Sequence, residues 1–227
     1  MLKKRIKIIE KILFHTIGGG AFKKLSEKCI NDKNDWMDLK KCIKEIKKIW
    51  KGEIKVEKNI VGALFDFVRL SHKVAKSCDD TIYQEIINIT SDLEIDRLFY
   101  DIPEESLKPF KGFTNPASNN IEFSEQKCLD CILFHSEGGG AFRQARSHRK
   151  FDSDGWDILV TAIKSLKKFW KDNVFVNRSA AAALVNLPLY VDWQANFFEE
   201  DDPNSVEVKQ FRSIAEELAT EIKKLFD

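Results

Sequence analysis

The stretch ILFHTIGGGAF begins at Ile12, and ILFHSEGGGAF begins at Ile132. Displacing the chain by 120 residues extends this match without a gap, pairing 12–66 with 132–186 at 21 of 55 identical positions. His15 falls on His135, Trp36 on Trp156, Ile43 on Ile163, Trp50 on Trp170, Lys51 on Lys171 and Val56 on Val176. Solenoid units repeat every ~20–50 residues, so this offset is domain-sized instead. It predicts two tandem, internally duplicated copies of one module, about 1–100 and 123–227. Between them, residues 101–122 hold Pro103, Pro109, Pro116 and the pair Asn119–Asn120. Proline removes a backbone donor and fixes φ, so this segment reads as the linker.

Within each copy the apolar period is helical. Trp36, Ile43 and Trp50 are spaced by seven, as are Trp156, Ile163 and Trp170. Seven residues at 3.6 per turn return to nearly the same face. Leu39 and Ile46 fill the stripe in the first copy, and Leu159 and Leu166 in the second. The tryptophans are therefore expected as core anchors, with Lys40, Lys41, Lys44, Lys47 and Lys48 on the opposite side. A further helix is expected to start near Glu57 and near Asn177. The run Ala180–Ala183 has almost no side-chain volume and suits close helix approach. The last helices are expected in YQEIINITSDLEIDRLFY and in SVEVKQFRSIAEELATEIKKLF, the latter capped by Ser205. With no convincing alternating strands, the fold class is all-α, a pair of helical-bundle modules.

Three glycines together cost roughly 2–3 kcal/mol relative to alanine inside a helix, so Gly18–Gly20 and Gly138–Gly140 must separate two helices. Three roles are open. The glycines can turn the chain through positive φ and let helices cross closely. Their free N–H groups can seat an anion at a helix start, beside Lys23 or Arg143. Or they can act as a hinge. No Gly-Lys-Ser/Thr follows and no strand precedes, which excludes a P-loop and a dinucleotide fingerprint. His15 and His135 stand just before the glycines and are expected to cap the last helix carbonyls.

Formal net charge is only +1, but residues 1–58 carry 17 Lys+Arg against 8 Asp+Glu, a balance of +9, which leaves −8 on the other 169 residues. Such asymmetry points to a charged partner or to solvated helix faces. Five cysteines in no repeated pattern, without a secretory leader, suit a reducing cytoplasm better than a disulfide framework. No uncharged apolar run approaches the ~18 residues of a membrane span.

Candidate chemistry is sparse. Cys128, Cys131 and His135 read C-x2-C-x3-H. On one helix the outer two are separated by ~10.5 Å of rise, and zinc holds its ligand atoms at ~2–2.3 Å. These are expected to be packing thiols, with no metal and no cofactor. Arg143 and His148, in RQARSHRK, resemble the Arg/His pair of HEPN-type helical ribonucleases. That resemblance implies an arginine stabilising a scissile RNA phosphate and a histidine moving protons; the first copy has Lys23 and Lys28 instead. The acidic run Glu199, Glu200, Asp201, Asp202 lacks the spacing of a calcium loop. It reads as a contact surface for a basic partner, as Lys40, Lys44, Lys47 and Lys48 do for an acidic one. WKGEIKVEKNIVGAL, about fifteen residues, is loosely similar to the Trp-x-Gly-Glu-Ile helix–turn–helix of some bacterial helical immunity families, and the second copy departs from it as WKDNVFVNRSAAAAL. The expectation is a cytoplasmic, non-enzymatic binder of a partner protein, such as a basic toxin domain. The alternative is an RNA-binding or HEPN-like protein using Arg143, His148 and the basic first module.

Overall fold

The computed structural model describes residues 2–28, 32–76, 83–84, 86–88, 93, 95, 123–199 and 202–227. The expected linker at 101–122, most of the expected helix after residue 82, Glu200 and Asp201 lie outside these residues. The described chain is predominantly helical and divides into two compact units, Met1–Asp101 and Ile102–Asp227. Among the described residues no helix is long and apolar enough to cross a membrane.

The first unit comprises α1 (Leu2–Thr16), α2 (Ala21–Lys28), α3 (Lys33–Trp50), the short extended segment β1 (Lys55–Glu57) and α4 (Lys58–Lys76). Asp32 starts α3 by accepting from the N–H groups of Asn34 and Asp35. Its buried stripe is Trp36, Leu39, Cys42, Ile43, Ile46 and Trp50, the face expected from the seven-residue spacing. α1 packs along α3, and α4 packs against α1 and α2. From α4 come Ile60, Val61, Leu64, Phe65 and Phe67, and Phe67 meets Trp36 and the edge of Phe22.

The second unit comprises α5 (Glu125–Ser136), α6 (Ala141–His148), α7 (Ser153–Trp170), β2 (Phe175–Asn177), α8 (Arg178–Val185), α9 (Leu187–Glu199) and α10 (Val206–Phe226). Asp152, 120 residues after Asp32, caps α7 by accepting from Gly155 N–H. Trp156, Leu159, Ile163, Leu166 and Trp170 are buried along α7. Ala180, Ala181 and Ala183 are buried too, and their small side chains bring α8 onto α5. Ser205 caps α10 through Val208 N–H, as expected. The one long helix α4 has two counterparts, α8 and α9. Pro188 supplies the break: it has no N–H to continue a helical ladder, and the Asn186 N–H closes onto Leu184 O instead.

One indole in each unit, Trp50 and Trp170, has a carboxylate acceptor; left unpartnered in an apolar core such an N–H costs about 1–3 kcal/mol. Trp50 donates to Glu57 Oε2 at 2.7 Å, and Glu57 Oε1 accepts from Arg5 Nε. Burial pushes the Glu57 carboxyl up, but the hydrogen bonds from Arg5 and Trp50 outweigh it and hold the group below its ordinary range. In the second unit Trp170 donates to Glu125 Oε1 at 3.0 Å. Glu125 lies 120 residues after Arg5, and Asn177 lies 120 after Glu57. The two indoles thus meet carboxylates that do not stand 120 residues apart.

Removing Glu57 takes a carboxylate acceptor from a buried indole and from the Arg5 guanidinium. Glu57→Ala is expected to destabilise the first unit by about 2–4 kcal/mol, and Glu125→Ala, whose partner set lacks a cation, to cost the second about 1 kcal/mol. Urea unfolding of each variant, followed by tryptophan fluorescence, tests that order.

Candidate functional site

The repeated glycine turn is built identically in the two units. At the end of α1, the N–H groups of Ile17 and Gly18 both bond to Leu13 O, and Gly20 N–H bonds to Phe14 O. Glu137, Gly138 and Gly140 make the same bonds to Leu133 O and Phe134 O. The Gly18, Gly20, Gly138 and Gly140 donors expected to seat an anion are therefore occupied by helix carbonyls. None of these glycines has positive φ; among the described glycines only Gly52 does. That corrects the expectation of a left-handed turn, and the reason for glycine is crowding. A Cβ on Gly20 would lie 2.6 Å from His15 Nδ1, and one on Gly140 would lie 2.6 Å from His135 Nδ1. On Gly18 and Gly138 it would meet the Phe14 and Phe134 carbonyl oxygens at 2.8 and 2.9 Å. Gly19 and Gly139 have nothing nearer than a phenyl edge at 3.5 Å.

The histidines also work differently from the expectation. His15 Nδ1 accepts the Ala21 N–H at 3.4 Å, and His135 Nδ1 accepts the Ala141 N–H at 3.2 Å. Each imidazole caps the start of the next helix rather than the end of its own, satisfying one of the orphan donors there. Phe14 and Phe134 hold the rings edge-on at centroid separations of 5.1 and 5.0 Å. An accepting Nδ1 places the ring proton on Nε2. His15 Nε2 faces Asp38 Oδ2 at 3.3 Å, and Lys11 Nζ reaches the same carboxylate at 2.7 Å. The hydrogen bond from Lys11 is the main cause of a lowered Asp38 carboxyl. Ile158 replaces Asp38 in the second unit. There burial lowers His135 from 6.5 to about 4, against the opposing pull of Asp152.

Of the expected surface cations Lys48 is tied into the first unit, as are Lys4 and Lys24. Lys4 and Lys48 both bond to Glu45, at 2.7 and 2.8 Å, and with Lys4 first they bring its carboxyl down to about 2. Lys24 bridges Asp32 and Asp35. Lys44 is exposed, and Lys40 and Lys47 are half-buried. On the acidic run, Glu199 Oε2 accepts from Arg212 at 2.6 Å, and the exposed Asp202 accepts Asn204 N–H within a turn. Arg143 and His148 are both exposed on α6, the histidine as its last residue. Five helical steps set them ~140° apart around the axis and ~7.5 Å apart along it. Cys128 and Cys131 are fully buried, and burial above all holds each thiol up at about 12. They pack as neutral thiols. Among the described residues no group of three His, Cys, Asp or Glu stands ready for a metal ion.

One surface feature went unread in the sequence. Tyr190, Trp193 and Phe197 of α9 are 38%, 48% and 50% exposed, while Val191 and Ala195 on the other side are fully buried. Tyr190 stacks on Phe142 of α6 at 6.3 Å and 21°, and Trp193 lies 5.8 Å from Tyr190. The spacing i, i+3, i+7 carries the signal, since it gives α9 a second apolar stripe beside its core stripe.

No protein-family model, curated protein or solved structure matches the chain.

Two predictions follow from the turn. Gly20→Ala and Gly140→Ala must push the imidazole off its backbone donor, at an expected cost of about 2–3 kcal/mol each. Gly19→Ala and Gly139→Ala are expected to stay within about 1 kcal/mol of the parent. Thermal melts of the four variants check this, and equal effects across them would count against the cap.

Protonation of His135 removes its Nδ1 acceptor. Its folded pKa of about 4 lies below the ordinary 6.5, so the unfolded chain binds the proton more readily between those values. Stability from this group is thus complete above pH 6.5 and falls as pH drops towards 4. At 1.4 kcal/mol per pH decade the loss is on the order of 3 kcal/mol. His135→Asn, whose amide oxygen replaces the Nδ1 acceptor, is expected to flatten that part of the curve, as measured by urea unfolding at stepped pH.

Proposed function

We propose that the chain carries two descendants of one duplicated helical module and acts as a non-enzymatic binding protein of the toxin-neutralising, immunity type. The duplication is supported by the recurrence, 120 residues apart, of the same carbonyl bonds, the same imidazole cap and the same Asp N-cap. Substitutions at the carboxylate that serves each deep indole fit two copies drifting under one packing requirement.

The binding reading rests on one observation: the repeated histidines and the Cys128 and Cys131 thiols are built into the scaffold, and the exposed Arg143 and His148 stand ~140° apart around α6. His15 and His135 are 3% and 1% exposed, and each has Nδ1 bonded to backbone. The Cys128 and Cys131 thiols stay protonated far above neutrality. A general base or nucleophile needs a free lone pair within reach of substrate, and these groups do not offer one. A protein partner is favoured over a polyanion because Lys4, Lys11, Lys24 and Lys48 already face carboxylates. Phosphate-driven binding draws on cations that can release counterions.

Affinity capture of the tagged chain from its native host, with identification of what it holds, tests this. The expected result is a small toxin domain whose activity falls to background at one equivalent of added chain. Recovery of RNA instead, with affinity falling by orders of magnitude between 50 and 200 mM salt, would replace this reading; His148→Ala would then test for cleavage.

A further inference from the structure

We propose that the aromatic stripe of α9 is a self-association face, on which two copies of the chain pack α9 against α9 in antiparallel fashion about a two-fold axis. This goes beyond partner binding and does not depend on it.

The stripe has the size and order that such a face needs. A Phe, Tyr or Trp side chain carries roughly 150–250 Å². At the exposures of Tyr190, Trp193 and Phe197, the three present on the order of 300 Å² of apolar surface. That is comparable to the largest patch on a typical monomer, and enough to form the apolar core of a standard face of ~800 Å². The rings are already ordered: Tyr190 is held by its stack on Phe142, and Trp193 leans on Tyr190. Little side-chain entropy is left to lose on association. The first unit has Leu70 and Lys73 where the second has Tyr190 and Trp193, so the stripe belongs to the second unit alone.

The charges at its two ends select the occupant. At the Tyr190 end, α6 presents exposed Arg143 and Arg146 on either side in sequence of Ala145 and next to Phe142. Arg146 is one turn from Phe142 and shares its face. At the Phe197 end the chain enters Glu199 and the exposed Asp202, within a sequence run of four carboxylates. Glu137 near Arg146, and Arg212 on Glu199, moderate this polarity without reversing it. A surface with cationic α6 residues at the Tyr190 end of the α9 stripe and carboxylates at and past its Phe197 end is complementary to itself only when the copies run antiparallel. That arrangement is isologous, as two-fold interfaces require, and it also opposes the two helix dipoles favourably. A nucleic acid laid along the same stripe would meet the carboxylates at one end. A foreign protein would have to present both signs in matching order. The midpoint between Tyr190 and Phe197 falls at Trp193 and Gln194, which places these two residues beside their own copies at the axis.

Light scattering on the eluting chain, over about a hundredfold range of concentration, is expected to show a concentration-dependent dimer. Trp193→Asp is expected to give a monomer with unchanged helical circular dichroism. Gln194→Cys, oxidised with diamide, is expected to yield a disulfide-linked dimer, and Glu216→Cys on the exposed side of α10 is not. Arg146→Glu is expected to weaken the dimer at least tenfold, and adding Asp202→Arg in the same chain to restore part of that loss. A parent chain that stays monomeric throughout overturns the proposal. So does a dimer untouched by Trp193→Asp, or one in which the cysteine at 194 links no faster than the cysteine at 216. A monomeric chain that still neutralises a toxin would remove this face and leave the partner reading intact; a dimer with no partner protein would do the reverse.

Discussion

A single nitrogen lone pair sets the course of the first two helices in each unit. Three glycines leave the chain free to take many directions, and an eight-residue helix such as α2 or α6 is too short to be stable by itself. The imidazole resolves both problems together. Its Nδ1 satisfies the first amide of the short helix, and its position on the last turn of the longer helix fixes where that amide must be. The third glycine is required because the ring occupies the volume of its Cβ. Histidine, glycine and the following Ala N–H therefore form one unit of geometry, and altering any of them releases the other two.

The tryptophans at the far end of α3 and α7 show what the two units share and where they differ. Both indoles are buried and both donate to a carboxylate, yet the carboxylate comes from position 57 in one unit and from the first turn of α5 in the other. For these two donors the acceptor is a carboxylate in both units, supplied from different addresses. Arg5 accompanies Glu57 because that carboxylate is nearly fully buried and its remaining oxygen would otherwise be an unpaired charge. Glu125, at a helix start where the dipole favours an anion, has support of another kind. The other pair of indoles is different: the N–H groups of Trp36 and Trp156 are both buried without a partner, so these rings contribute through packing alone, at matched positions.

Much of this was legible in the sequence, and the misses have physical reasons. The seven-residue spacing placed Trp36, Ile43, Trp50 and their counterparts on buried faces because helical periodicity depends on burial alone. Ser205 was readable as a cap because its role is local. The function of His15 and His135 was not, since capping the helix that follows requires the turn to fold back on itself, and no spacing rule contains that fold-back. Positive φ was the ordinary expectation for glycine; a ring packed against the backbone is a tertiary fact. Pro188 could have been taken as the end of α8, as proline breaks a ladder wherever it stands. The α9 stripe stands in the spacing of Tyr190, Trp193 and Phe197, but periodicity alone does not tell which of two apolar stripes faces solvent.

Charge counting illustrates the same limit from the other side. An excess of nine positive charges over the first 58 residues reads as a polyanion footprint while the carboxylates are treated as diluted among the lysines. In the fold they are not diluted. Glu45 takes two lysines, Asp38 takes one and faces His15, and Asp32 and Asp35 share another. Exposed pairs of this kind contribute little stability, about 0–1 kcal/mol each, but they do determine how much of the cationic surface remains for a partner. Aromatic exposure is harder to neutralise from within. A solvated lysine is at no disadvantage in water, whereas three neighbouring rings on α9 keep an unfavourable contact with solvent until something covers them. The surface feature that costs free energy in the isolated chain is thus a better guide to association than the one that merely carries charge.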